Sequence, residues 1–141
     1  MDRIHQSEWA VFRFQKSHKD DRVRNAQEVM EKGYTELKNI EELAAAVGMS
    51  RRSLERRFKA ATGDTPLHYL HRLRVEAAKR IIETQNCSFE EIAYQVGYEN
   101  TGYFRKVFTR LCHISPKTYR TKWGRVNFPD PSLCRVQPAR R

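Results

Sequence analysis

Arg52, Glu55, Arg56 and Lys59 fall where one face of a helix would carry them, and fifty residues on the corresponding positions are Gly102, Arg105, Lys106 and Thr109. The chemistry open to such a face is hydrogen bonding to flat, polar edges. A guanidinium fork or an ammonium group donates to the paired acceptors of guanine, short polar groups approach other base edges, and a residue without a side chain permits close approach. Glu55 is the exception in charge. Its carboxylate either accepts from a cytosine amino group or orients Arg51, Arg52 or Arg56, and the sequence leaves both roles open.

The elements that must position these residues are repeated as well. Residues 40–48, IEELAAAVG, match residues 89–97, FEEIAYQVG, at an offset of 49, and one extra residue after the glycine makes the offset 50, so that Ser50 pairs with Asn100, Leu54 with Phe104 and Phe58 with Phe108. Each copy reads as helix, short turn, N-cap, helix. Leu54, Phe58 and Ala61 form the expected buried stripe of the first unit's second helix, and Phe104, Val107, Phe108 and Leu111 that of the second. A single helical hairpin with a glycine turn and a basic face is a weak signal, because such faces are often only solvated. Two copies with the same alanine, glycine, cap and basic face make the helix-turn-helix reading the stronger one.

The expected fold is all-α: seven helices forming two helix-turn-helix, homeodomain-like subdomains joined by a long linker helix. The helices are predicted from Asp21 to a cap at Gly33, then over 40–47, 50–62, 65–84, 88–96, 100–112 and 115–123. Ser50, Asn100 and Ser115 suit N-caps, Pro66 and Pro116 suit first turns, and Gly48, Gly63 and Gly97 suit left-handed turns. The linker helix, at about 20 residues and 1.5 Å per residue, is roughly 30 Å long, close to the ~34 Å of one DNA turn. Its Leu67, Leu70, Leu73, Ala77 and Ile81 are expected to pack on both units, and Arg72, Arg74, Lys79 and Arg80 to be solvated or near phosphate. His68 and His71 have metal-ligand spacing but no third ligand close in sequence.

Twenty-seven Lys and Arg against 17 Asp and Glu give a net charge of +10, and 39% hydrophobic residues leave enough for a folded core. That balance points to a polyanionic partner. Cys87, Cys112 and Cys134 are odd in number and widely spaced, with no CxxC pair, so a reducing cytoplasm is expected. No segment reaches the ~20 apolar residues of a membrane span, and the N-terminus lacks a signal-peptide core. No phosphate loop, HExxH motif or nucleophile with its base at motif spacing is present, so no enzyme, metal or cofactor is expected. Exposed aromatic stacking platforms, which single-strand and RNA binders use, are not expected, because most aromatics fall at core positions.

The runs LAAAVGMSRRSLERRFKAATGDTPLHYLHRLRVEAAKRII and FEEIAYQVGYENTGYFRKVFTRLCHISPKTYR resemble the AraC/XylS family of bacterial transcription regulators over about residues 22–124. The resemblance implies double-stranded DNA and RNA polymerase as partners. Carried over by position, the base readers are Arg52, Glu55, Arg56, Thr101, Gly102, Arg105 and Lys106. Phosphate contacts come from the amides following Ser50 and Asn100 and from Arg51, Arg57 and Lys117. The expected organisation is an N-terminal linker or remnant of an upstream domain over 1–20 and a DNA-binding domain over 21–125. Within the latter lie a first unit (22–63), the linker helix (65–84) and a second unit (88–124), with a flexible tail over 126–141. The stretch QSEWAVFRFQKSHKD followed by VRNAQEVMEKGY looks like the junction in the branch whose N-terminal domain resembles class I glutamine amidotransferases and PfpI proteins. A fragment of a longer protein is therefore favoured over a short stand-alone regulator. The module is expected to act as a monomer, with dimerisation left to a longer parent, in the cytoplasm on the nucleoid. The alternative is a non-specific architectural nucleic-acid-binding protein.

Overall fold

The structure, a computed structural model, describes residues 15–124. Among them are seven helices and no strand: α1 (Asp21–Gly33), α2 (Ile40–Ala46), α3 (Arg51–Thr62), α4 (Pro66–Thr84), α5 (Phe89–Val96), α6 (Thr101–Cys112) and α7 (Pro116–Trp123). The tail expected over 126–141 and the first fourteen residues lie outside the described residues. Two compact units divide between Leu73 and Arg74, inside α4.

Local chemistry sets the helix ends. Ser50, Ser88, Asn100 and Ser115 have extended backbones, and their side chains accept from the amides of Ser53, Glu91, Tyr103 and Thr118. Several predicted helices thus begin one residue later, because a cap residue stands outside the helical backbone it closes. Asn39 caps α2 through the Glu42 amide at 2.9 Å, while the Glu42 carboxylate accepts from the Lys38 amide at 3.0 Å. Gly63 ends α3 at φ 82°, and fifty residues on, His113 ends α6 at φ 68°. A left-handed backbone is strained for any residue but glycine, so the second copy carries a cost the first avoids. Gly33 departs from expectation: it stays within α1, and its carbonyl accepts from the Glu36 and Leu37 amides to close that end.

In the first unit α1, α2, α3 and the start of α4 enclose one core. Val23, Ala26, Met30, Leu43, Leu54, Phe58 and Tyr69 are wholly buried, with Ala61 packed at the margin. Fully burying a side chain such as Leu54 or Phe58 stabilises the fold by about 1.5–3 kcal/mol. Phe58 and Tyr69 meet edge to face at 5.3 Å. Residues 15–20 are bound onto this unit. Gln15 donates to the Thr62 carbonyl and accepts from Gln27 and Arg72. His18 bonds Gln27 at 2.9 Å, Lys16 pairs with Glu31 at 3.0 Å, and Asp20 caps α1.

The second unit is built around Ala78, Ile82, Ile92, Phe104 and Phe108, all wholly buried. An aromatic run, Tyr98, Phe104, Phe108, Tyr119 and Trp123, crosses it at centroid separations of 5.8, 5.8, 5.6 and 4.8 Å. The stripes of α3 and α6 are where the repeat puts them.

The linker helix differs from its predicted pattern. Leu67 is exposed, while Tyr69, Leu70 and Leu73 fill the first core and Val75, Ala78 and Ile82 the second, with Ala77 and Ile81 at the margin. Arg74 and Lys79, expected to be solvated or near phosphate, are each only 6% exposed. Each has a local reason. Arg74 lies 5.1 Å over the Tyr98 ring, and Lys79 pairs with Glu76 at 2.9 Å and lies 5.9 Å over the Tyr119 ring. Arg72 is half-buried on Asp64 at 3.0 Å, and of the four only Arg80 stands in solvent. His68 takes the other oxygen of Asp64 at 2.6 Å.

Candidate nucleic-acid interface

With Leu54 and Phe58 of α3 turned into the core, Arg51, Arg52, Arg56 and Lys59 are left exposed. Arg52 and Arg56 form no ion pair among the described residues and present their guanidinium forks to solvent. Arg51 is held by two carboxylates, Glu55 at 3.0 Å and Glu41 of α2. The Arg51 hydrogen bond keeps the Glu41 carboxyl below its usual range, and Glu41, then Glu55, raises the pKa of Arg51. Glu55 is thus one of the two carboxylates that orient Arg51 when no duplex is bound.

Arg57, a phosphate contact by resemblance, is paired with an acidic side chain here. Its guanidinium makes two 3.0 Å hydrogen bonds to the Asp20 carboxylate. Burial alone would raise the Asp20 pKa. The hydrogen bond from Arg57, the amides of Val23 and Arg22, and the Arg57 charge outweigh it and hold the carboxyl below its ordinary value.

On α6 the corresponding face exposes Gly102, Arg105, Lys106 and Thr109, with Thr101 half-buried at the first turn. Gly102 has a structural reason beyond open approach: a Cβ there would stand 3.1 Å from Oδ1 of Asn100, the atom that caps the helix. Lys117 is exposed in the first turn of α7. The candidate base readers of each unit thus gather on one helix, α3 or α6, while Lys117 stands apart on α7 and Arg57 turns to Asp20. Two features escaped the sequence reading. Tyr103 is 47% exposed on α6, resting edge-on against Tyr98. Arg120 of α7 lies over the ring of Phe89, a contact only tertiary structure could reveal.

A family model described as "Helix-turn-helix domain" matches residues 43–122. A solved transcriptional regulator from Chromobacterium violaceum, titled as having an AraC-type DNA-binding domain, is 27% identical, with a TM-score of 0.66 over 74% of this chain and 94% of that one. The chain belongs to the AraC-type helix-turn-helix family. This AraC-type chain is also similar to the DNA-binding domain of AdpA, solved in complex with a target DNA. The identity there is 35%, and the TM-score 0.62 over 72% of this chain and 90% of that one. Among curated proteins it is 35% identical over 86 residues to the HTH-type transcriptional regulator MtrA of Neisseria gonorrhoeae, covering 61% of this chain and 29% of that protein. The chain spans less than two thirds of the length of the curated relatives it matches. Its AraC-type domain is one found in DNA-binding transcription regulators, and no helix among the described residues is long and apolar enough to cross a membrane.

Proposed function

We propose that this AraC-type chain reads a bipartite operator, α3 and α6 entering neighbouring major grooves of one duplex. The observation that carries the reading is the pairing, in both helices, of a fully buried apolar stripe with an exposed basic face: Leu54 and Phe58 behind Arg52 and Arg56, Phe104 and Phe108 behind Arg105 and Lys106. Base edges are read by Arg52, Glu55 and Arg56 and by Thr101, Gly102, Arg105 and Lys106. Backbone phosphates are held by the amides after Ser50 and Asn100 and by Arg51, Lys117 and Arg57, the last on release from Asp20. The DNA-binding domain covers 21–125, with units over 22–63 and 88–124 and the linker helix over 65–84. It acts as a monomer, contacts RNA polymerase at the promoter, and works in the cytoplasm on the nucleoid.

Duplexes selected from a random library by the full chain at physiological salt test this. Two enriched blocks about 10 base pairs apart are expected, with Arg56→Ala abolishing one and Lys106→Ala the other, at about 1–3 kcal/mol each. Tight binding without enrichment would replace this reading with the architectural one.

A further inference from the structure

Beside α6 lies a surface groove of about 510 Å³ lined by Ser88, Phe89, Glu90, Thr101, Arg105 and Arg120. Two arginines from different helices converge on one ring there: the Arg120 guanidinium carbon is 4.2 Å from the Phe89 centroid and that of Arg105 is 6.0 Å away. Arg120 also donates to the carbonyl of Cys87. Burial pushes its pKa down, and neither arginine has a carboxylate within ion-pair distance among the described residues. A half-buried guanidinium keeps a desolvation cost that a ring and a carbonyl offset only in part. An anion entering the groove would complete its coordination with donors already fixed in place.

We propose that this groove seats one phosphodiester of the DNA backbone, gripped between Arg120 and Arg105 beside the first turn of α6. Arg120 is thereby a positioning residue that sets how α6 meets the duplex. The proposal rests on the DNA-binding reading and shifts Arg105 from a base edge to the backbone. Charge selects the ligand: two guanidiniums and Glu90 leave a net lining charge of +1, which matches the single charge of a phosphodiester. A free phosphate or phosphomonoester carries about −1.5 to −2 at neutral pH, more than this lining neutralises. Forked guanidinium donors suit the two unbridged oxygens of a phosphodiester.

The test uses the full chain, a duplex it has selected, and a random duplex. Arg120→Gln and Arg105→Gln are each expected to weaken binding about ten- to a hundredfold on both duplexes, as loss of a charge-assisted contact implies. The slope of log affinity against log salt should fall by about 0.9, and by no more in the double variant, because both residues grip one phosphate. Single methylphosphonate linkages, placed one at a time along the selected duplex, should reveal a sensitive linkage at which Arg120→Gln loses nothing further. Unchanged affinity and slope in Arg120→Gln, or additive losses at every linkage, would overturn the proposal. So would an Arg105→Gln loss confined to the selected duplex, which would return that residue to base reading. Competition by inorganic phosphate at constant ionic strength, lost in Arg120→Gln, would instead make the groove a free-anion site. Should Arg120→Gln unfold, Arg105→Gln and the linkage scan with the unaltered chain decide the matter. An unaltered chain that binds no duplex would fail the broader reading itself.

Discussion

Replacing Lys79 with methionine should be among the most destabilising single changes in the second unit, although the lysine looks from its sequence like one more cation on an amphipathic helix. Its ammonium stands 2.9 Å from the Glu76 carboxylate, and the two side chains are only 8% and 4% exposed. At an effective dielectric near 20, charges at that separation attract by about 6 kcal/mol, most of it offset by the cost of withdrawing both from water. The pair as a whole is therefore near neutral, but half of it is not. Lys79→Met removes the cation that stands 2.9 Å from a buried carboxylate and should cost about 3–5 kcal/mol. Glu76→Gln combined with Lys79→Met removes both charges at similar volume and should return to within about 1 kcal/mol of the parent. The assay is urea unfolding followed by Trp123 fluorescence in a Trp9→Phe background, since Trp123 packs on Tyr119 in the same core. A cost below about 1 kcal/mol for Lys79→Met, or a double variant no better than the single, would refute the reasoning.

Asp20→Asn should keep the cap on α1 but lose the charge pair with Arg57, whose side chain is 36% exposed, so a loss of only about 0.5–1 kcal/mol at pH 7 is expected. A folded pKa held below the unfolded value of about 3.9 gives stabilisation that is full above that value and lost as pH falls through the lowered one. Urea titrations of parent and variant should therefore converge in acid, and a gap that widened there would contradict the sign. The two left-handed helix ends give a matched pair for thermal unfolding. Gly63→Ala, with open space around the new methyl, should lower stability by about 1 kcal/mol from backbone strain alone, and His113→Gly should raise it by about 0.5 kcal/mol, part of the strain relief being cancelled by the freer unfolded chain.

How much of this was legible in the sequence depended on how local the cause was. The caps at Ser50, Asn100 and Ser115 and the stripes Leu54–Phe58 and Phe104–Phe108 follow from neighbours within a turn or two, and the internal repeat reinforced each. The buried cations could not be read that way. Arg74 needs Tyr98, in the turn between α5 and α6, and Arg120 needs Phe89 of α5, each pairing made by residues far apart in sequence. A periodicity argument places every Lys and Arg outward by default and misses those that a ring or a carboxylate draws in. Glu55 illustrates the middle ground: its spacing from Arg51 is visible in the sequence, but Glu41, the second carboxylate that fixes that arginine, arrives from α2. Tyr103 precedes Phe104 on α6, and that register, not its aromatic type, leaves it outward.

The hold on residues 15–20 bears on where a gene could be cut. A piece starting at Asp21 would match the helical pattern yet discard the Asp20 cap, the partner of Arg57, and the glutamine that bonds Thr62, Gln27 and Arg72. It would expose the first-turn amides of α1 and leave a guanidinium on α3 seeking a new anion. The smallest portable piece of the first unit therefore opens at or before Gln15, and any fusion joint belongs upstream of that residue.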